Sequence, residues 1–243
     1  MRTFILFCMM MMVSFSYAAM IQGSSSLLTE QYANQLEQWL GEGPITLTRI
    51  FSKSVDGASS NAFHNKVDGQ GRTFSVIHVS GNYNEIIGGY NPFSWNTSSS
   101  YTVTSDRSAF IFNLTENRKF TQTGYHYPGY QTYNHSSYGP TFGAAHEIYV
   151  DSTLNSGYVL NHFPSSYPNG YNTYGNGTAM NLLGDQYYYS NGVYQGNNSH
   201  AYSYNLVYGN IEVFTISNGV VPEPSSVLLM CLSLVAVYIF GKR

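Results

Sequence analysis

Apolar side chains recur at helical spacing in the stretch that begins near Ser26. Their separations of three and four residues place them on one face of a helix. Ser26 or Thr29 is suited to cap the start of this helix, and Gly41 is a natural stop. The apolar positions of this predicted helix are Leu28, Tyr32, Leu36, Trp39 and Leu40.

A second helix is predicted over 58–67, with Asp56 as its cap and the glycine-containing cluster 68–71 as its end. Most of the remaining apolar pattern consists of short runs, several of which alternate, as is typical of strands. The turn Ser80-Gly81-Asn82 predicts a hairpin between the second and third strands. The predicted strands are 45–51, 73–79, 85–90, 109–114, 146–150 and 211–216. The pattern therefore predicts a mainly β protein with two helices, folded as an antiparallel β-sandwich.

The two ends of the chain have a different character. Arg2, the apolar run 4–13 and the small residues near Ala18 follow the order of a secretory signal peptide, with cleavage after Ala18 or Ala19. The run is too short for a transmembrane helix, which needs about 20 apolar residues. The sequence therefore predicts an exported protein.

The carboxyl terminus has a second apolar run, 227–240, followed by Lys242 and Arg243. As a helix it spans about 21 Å, which is short for a hydrocarbon layer of about 30 Å. The segment Pro222-Glu223-Pro224 precedes it and resembles, together with the run and the basic end, the PEP-CTERM sorting signal of Gram-negative bacteria. The resemblance implies transient anchoring in the inner membrane through 227–240, processing by exosortase, and delivery to the cell surface or extracellular matrix. The alternative is an ordinary single-span anchor.

Composition narrows the function of the body between these ends. Charged residues make up 9% of the chain and the formal net charge is −3, so no basic surface is available to hold a nucleic-acid backbone. Both cysteines, Cys8 and Cys231, lie in the terminal apolar runs. Disulfides, thiol catalysis and cysteine-bound metals are therefore excluded for the body.

Five segments of the body contain motif residues in a characteristic order. These residues are Ser54, Asp56, Gly57, Phe63, His64, Lys66, Asp68, Gly88, Gly89, Tyr90, Trp95, Phe142, Gly143, His146, Glu147, Tyr149 and Glu212. In this order they resemble the TLDc domain family. The resemblance implies a β-sandwich with two helices and no established catalytic mechanism. With the two terminal signals, the expected domain organisation is signal peptide 1–18, linker 19–26, TLDc-like domain 27–217 and sorting signal 218–243.

Catalytic motifs are weak in this sequence. His146-Glu147 lacks the second histidine of H-E-x-x-H, and on a strand the two side chains point to opposite faces, so a hydrogen-bonded pair at the rim of the sandwich is favoured. His64 and Asp68 are four apart on the second helix and are expected to bond to each other. No cofactor, metal or catalytic activity is expected. The alternative is a hydrolase or metal-dependent enzyme in which His64, His146 and Glu147 converge.

Tyrosine is concentrated in 124–140 and again in 167–178 and 187–209. Exposed tyrosine combines an apolar face with a hydroxyl, and it is therefore suited to stack on sugar rings and bond their hydroxyls. This suggests a binding or structural module that contacts extracellular polysaccharide, with signal peptidase and exosortase as partners during export. Two alternatives remain: the tyrosines only cover the edges of the sandwich, or they protect against oxidants.

Overall fold

The computed structural model describes residues 19–122, 127–144, 146–160, 166–167, 177–180, 182–184, 186–190, 193–194 and 202–219. The predicted signal peptide (1–18), the segment Pro222-Glu223-Pro224 and the apolar run 227–240 lie outside these residues. Within the described ranges, no helix combines the length and the apolar character needed to cross a membrane.

Three helices are present in the described residues, one more than predicted: α1 (Glu30–Leu40), α2 (Lys53–Asp56) and α3 (Ser60–Val67). The predicted caps of α1 are confirmed. The hydroxyl of Thr29 accepts a hydrogen bond from the amide of Tyr32 at 3.2 Å, and Gly41 ends the helix in the left-handed conformation.

The prediction that Asp56 caps the second long helix is wrong. Ser59 caps α3, because its side chain accepts from the amide of Ala62 at 3.1 Å. Asp56 ends the short helix α2 instead, and its carboxylate accepts from the amide of Ser52 at 2.8 Å. The sequence shows two possible caps three residues apart, and only the backbone path decides between them.

The strands in the described residues include all six predicted ones; five differ by at most two residues at an end, whereas the predicted strand 211–216 is part of a strand that already begins at Tyr202. They are β1 (Met20–Gln22), β2 (Ile45–Ser52), β3 (Thr73–Val79), β4 (Glu85–Asn91), β5 (Ser100–Val103), β6 (Phe110–Asn113), β7 (Arg118–Thr121), β8 (Tyr130–Asn134), β9 (Ile148–Val150), β10 (Ser156–Leu160), β11 (Gly177–Met180), β12 (Gln186–Ser190), β13 (Val193–Tyr194) and β14 (Tyr202–Asn218).

Two sheets share the long strand β14. The first has the order β1-β2-β14-β3-β4-β6-β7, and within it β3 and β4 form the predicted hairpin. The amino-terminal half of β14 pairs with β10, which pairs with β9. Isolated bridges through Phe142 then connect β9 to β8, and β8 pairs with β5. The mainly β sandwich predicted from the sequence is confirmed, and β11, β12 and β13 form a separate small sheet.

The first sheet is buried on both faces. Phe74 and Phe112 pack on one face beneath α1, together with Leu36 of that helix. Ile77 and Val213 pack on the other face, in a cluster with Trp95, Phe142 and Ile148. Successive side chains of a strand point to opposite faces, so β3 and β6 contribute to both clusters. The second sheet therefore keeps one face inside and exposes the other.

Residues 19–26, predicted to be a linker, are part of the folded domain. β1 lies within them and pairs in parallel with β2 through three residues. The serines that follow, Ser25 and Ser26, hydrogen-bond to the buried carboxylate of Glu212. The segment is too short and too polar for the strand pattern to be recognised in the sequence.

Candidate functional site: an aromatic strip

The exposed face of the second sheet carries a continuous row of tyrosine and histidine rings. We call this row the aromatic strip. The segments that contribute are β5, the loop into β8, β8 itself, the turns on either side of residue 142, β9 and β10. The members of the strip are Tyr101, Tyr127, Tyr130, Tyr133, His135, Tyr138, His146, Tyr149 and Tyr158.

Ring contacts are unbroken along the strip. At one end Tyr127 meets Tyr130 with ring centroids 5.5 Å apart, and Tyr130 meets Tyr101 at 5.2 Å. Tyr101 meets Tyr133 at 4.6 Å, and Tyr133 meets His146 at 4.8 Å. Tilted and edge-on pairs at these distances are the favoured aromatic geometry, so each ring holds its neighbour in place.

The other end of the strip continues over β9 and β10. His146 stacks with Tyr149 at 6.0 Å, and Tyr149 stacks with Tyr158 at 4.9 Å. Tyr138 contacts Tyr149 edge-on at 4.9 Å and His135 at 4.5 Å, which widens the strip in its middle.

The strip is partly open to solvent. Tyr127 is 46% exposed, and the other eight members are half-buried. Inward-pointing neighbours such as Gln131 and Thr132 are fully buried. Strict alternation would place Tyr130 and Tyr133 on opposite faces, but the pairing of β8 with β5 shifts register between Thr132 and Tyr130, and both rings therefore reach the surface. The rings form a rigid apolar patch with polar edges.

Several hydroxyl groups on the strip have no hydrogen-bond partner among the residues that the structure describes. The hydroxyl of Tyr101 donates to the carbonyl of Ala144 at 2.7 Å. The hydroxyls of Tyr130, Tyr133, Tyr138 and Tyr149 make no hydrogen bond to any part of the chain that the structure describes. These groups remain available to donate to, and accept from, a bound molecule.

His146 lies at the centre of the strip in its neutral form. Burial lowers the pKa of this imidazole. Because the single hydroxyl proton of Tyr101 is donated to Ala144, the 3.3 Å contact between Tyr101 Oη and His146 Nε2 requires the imidazole to donate. The Nδ1 atom of the neutral ring is then an acceptor.

Tyr101 and Tyr149 also stay uncharged at neutral pH. Burial raises the pKa of Tyr101, and the nearby Tyr133 and the carboxylate of Glu147 raise it further. The pKa of Tyr149 is raised by burial, by Tyr138 and by Asp151. No lysine or arginine takes part in the described ring contacts. The strip is therefore a neutral surface with carboxylates beneath it and at one end.

The structure separates His146 from Glu147, but not by strand alternation. The expected strand 146–150 begins only at Ile148, and His146 lies in a turn with φ 56°. Glu147 is fully buried and accepts hydrogen bonds from the amides of Ser166 and Tyr167. The expectation of a hydrogen-bonded pair at the rim is therefore wrong for Glu147, which lies in the interior.

Gly143 explains how this buried carboxylate is accommodated. The residue has φ +79°, and a Cβ atom built on it would collide with the carboxylate of Glu147. Glycine is therefore required on both counts, conformational and steric. Together with Phe142, which packs edge-on against Trp95 at 5.4 Å, it fixes the turn that presents His146.

His64 belongs to a different network. Its Nδ1 atom lies 2.8 Å from a carboxylate oxygen of Asp68, as predicted, and its Nε2 atom lies 2.9 Å from the carbonyl of His135 and 3.1 Å from that of Tyr138. These bonds tie α3 to the turn beneath the strip. Nothing in them links His64 to Glu147, and in the described part of the chain no group of three or more His, Cys, Asp or Glu side chains is arranged to hold a metal ion.

The other motif residues support the fold. Phe63 packs edge-on against Trp95 at 5.6 Å, and Trp95 donates to Thr73 at 3.0 Å. Gly88 and Gly89 give space in β4, because a Cβ atom would meet the backbone oxygen of Ser75 at the first and the ring of Phe142 at the second. Gly57 follows α2 with φ 112°.

Sequence reasoning found part of the strip. The stretch 124–140 was proposed as a binding surface, and its tyrosines from Tyr127 onward form one end and the middle of the strip. Tyr101, Tyr149 and Tyr158 were missed, because they come from distant strands that only the tertiary fold brings together. In the second tyrosine-rich region, 168–176, 191–192 and 195–201 lie outside the described residues.

Comparison with known proteins identifies two segments. The TLDc domain family matches residues 21–216, and the PEP-CTERM protein-sorting motif matches residues 220–243. No curated protein matches the chain. The first match covers more than half of the sequence and includes Ile21 and Gln22 of β1, which lie in the predicted linker.

Proposed function

Because the chain belongs to the TLDc domain family and carries a PEP-CTERM sorting motif, we propose that it is a non-catalytic module that binds extracellular polysaccharide at the cell surface through the aromatic strip. The sorting motif marks the protein for processing by exosortase during export and for the cell envelope. Polysaccharide is a ligand that a protein meets in this location.

The observation that carries the proposal is the unbroken row of partly exposed rings with unpartnered hydroxyls. A sugar ring presents an apolar C–H face and a rim of hydroxyl groups. Tyrosine offers the complementary pair, a rigid apolar face and a hydroxyl, and loses little conformational entropy on binding. The ring-to-ring spacing of 4.6–6.0 Å gives a surface that extends over several rings, as an extended polymer requires.

The test uses the exported protein and, as the probe, extracellular polysaccharide extracted from the producing cells. In affinity electrophoresis we expect the polymer to retard the protein. Tyr133→Ala should weaken binding about tenfold, because this ring contacts four other members of the strip and truncation of a central aromatic anchor costs more than about 1 kcal/mol.

Tyr32→Ala is the matched control, because Tyr32 is a half-buried tyrosine on α1 and does not belong to the strip. It packs on the face of the first sheet that carries Phe74 and Phe112. Its binding should equal that of the unsubstituted protein. Circular dichroism of both variants checks that the fold is retained. No retardation of the unsubstituted protein, or equal retardation of a folded Tyr133→Ala variant, would refute the proposed function.

A further inference from the structure

The charges around the aromatic strip bear on the chemical class of its ligand. Two carboxylates act on the strip: Glu147 is buried beneath Tyr101, and Asp151 lies near Tyr149. Asp151 is held in its turn by the side chains of Thr153 and Ser156, at 2.9 and 2.7 Å. Burial works against the charge of Asp151, but these hydrogen bonds and those from the backbone keep its pKa below the ordinary value. The carboxylate of Asp151 therefore places a negative charge at the Tyr149 end of the strip, and the carboxyl group of Glu147 provides no positive charge beneath Tyr101.

In the described residues, the cation that lies over an aromatic ring is Lys119, whose ammonium group is 4.3 Å from the centroid of Phe110, a ring outside the strip. Lys53 is the basic residue that interacts with Asp151, but its ammonium group donates to the carbonyls of Tyr208 and Gly209, at 2.8 and 2.7 Å. Burial lowers the pKa of Lys53. It is therefore committed to the backbone of β14 rather than presented to a ligand.

The central imidazole also disfavours an anion. Its one proton is donated to Tyr101, and the other ring nitrogen of the neutral form presents a lone pair. A carboxylate placed over the middle of the strip would meet an acceptor and aromatic π-faces, which carry partial negative charge. It would lose water without gaining a charged partner, which disfavours its binding.

We infer that the aromatic strip binds uncharged polysaccharides and excludes polyuronates and other acidic polymers. This inference rests on the proposed function and adds the class of polymer. Because no ion pair contributes, binding should also be nearly independent of salt, unlike recognition that depends on charge.

The discriminating experiment compares polymers on the exported protein. The neutral probes are a β-glucan, an α-glucan and a galactomannan, and the acidic probes are alginate and hyaluronan. We expect at least one neutral polymer to retard the protein, with an affinity that changes less than about twofold between low and high salt. The acidic polymers should bind at least about tenfold more weakly. Loss of retardation in Tyr133→Ala assigns the binding to the strip.

A gain-of-function variant tests the electrostatic reason. Ser137 is exposed in the turn between His135 and Tyr138. Ser137→Lys should create salt-sensitive binding to alginate, because it adds a cation to the strip. Gln38→Lys, at an exposed position of α1, makes a comparable charge change elsewhere and should not create it.

The two proposals fail in different ways. Stronger binding of alginate or hyaluronan than of every neutral polymer, if lost in Tyr133→Ala, would overturn the inference and leave polysaccharide binding in place. Absence of binding to all neutral polymers, or no gain by Ser137→Lys, would also overturn it. Binding that persists unchanged in Tyr133→Ala would instead show that the strip is not the binding surface, and it would refute the proposed function.

Discussion

His146 adopts the left-handed backbone conformation, which few residues other than glycine occupy. In this conformation its imidazole contacts four tyrosine rings, those of Tyr101, Tyr133, Tyr138 and Tyr149. Histidine and asparagine are among the residues that tolerate this region best. The left-handed conformation of His146 therefore occurs at the point where the two halves of the strip meet.

Protonation of His146 should reduce the stability of the domain. Its pKa in the folded protein is lower than the ordinary value of 6.5, because burial disfavours the imidazolium. As the pH falls below about 6.5, the unfolded chain takes up the proton before the folded one does, so the free energy of unfolding decreases. Stability therefore rises with pH between the folded pKa and about 6.5.

His146→Asn tests this effect, because asparagine tolerates the left-handed conformation but does not titrate. We expect the melting temperature of the unsubstituted protein to fall between about pH 7.5 and about pH 5 by more than that of the variant. His78→Asn is the control, because His78 is a partly exposed histidine of β3 that bonds to Asn84. Equal pH dependence of His146→Asn and the unsubstituted protein would contradict the assignment.

At the scale of elements, β14 joins the two sheets and holds the amino-terminal segment. Glu212 of this strand is fully buried, and its carboxylate accepts hydrogen bonds from Ser25, Ser26 and Asn210. Arg49 of β2 lies 3.5 Å from the same carboxylate and also donates to the carbonyl of Ser24. One side chain thus connects β14, β2 and the segment that contains β1.

Glu212→Gln should lower the free energy of unfolding by about 2 kcal/mol or more. The amide provides one acceptor where two are used, and its NH₂ group would face donors in a buried position. The measurement is equilibrium unfolding in urea. Hydrogen exchange should show in addition that the amides of β1 lose protection before those of β3.

Glu116→Gln is the matched control. Glu116 pairs with Arg118 at 3.0 Å on the surface, with 42% of its side chain exposed. Exposed pairs contribute between 0 and about 1 kcal/mol, so this variant should be close to neutral. Equal effects of the two substitutions would show that the buried network does not anchor the segment.

At the scale of the whole molecule, the folded domain and the sorting motif are adjacent in the sequence. The family match ends at residue 216 and the motif begins at residue 220. β14 itself continues to Asn218. The chain therefore has very few residues between the last strand of the domain and the part that is recognised during export.

Replacing both prolines of the motif, Pro222→Ala with Pro224→Ala, should prevent processing. Proline keeps the chain extended and accessible, whereas alanine allows a helix to extend into this segment. We expect the full-length chain to accumulate in the inner membrane, and the amount at the cell surface to fall several-fold. Mass spectrometry of the carboxyl-terminal peptide and immunoblots of cell fractions measure both.

Ser225→Ala with Ser226→Ala is the control, since it changes adjacent residues but leaves Pro-Glu-Pro intact. Its processing should be normal. Unchanged processing of the proline variant would show that recognition depends on another part of residues 220–243.

Much of the fold could be predicted from the sequence, because it depends on local regularities. The spacing of Leu36 and its apolar neighbours predicted α1, and Thr29 and Gly41 were correctly expected as its caps. The alternation of apolar and polar residues predicted strands of the first sheet. The prediction failed where local signals were ambiguous or short. Asp56 and Ser59 compete as caps, and β1 has only three residues.

The candidate site could be predicted only in part. A tyrosine-rich stretch is visible in the sequence, but a ring is exposed or buried according to the partners that its strand meets. Tyr167 and Tyr208 are buried, for example, whereas Tyr133 and Tyr149 reach the surface. The likewise buried Glu147 was expected at the rim, because the turn at His146 interrupts the alternation from which that position was predicted.

The sequence by itself determined the fold class, the family and the sorting motif, because hydrophobic periodicity and short motifs are properties of contiguous residues. Only the tertiary structure decided that rings from β5, β8, β9 and β10 form one strip, and that the carboxyl groups of Glu147 and Asp151 lie close to it. The directly contacting rings of the strip that lie furthest apart in the sequence are those of Tyr101 and His146, 45 positions apart. Long-range pairing sets which side chains meet, and no local pattern records it.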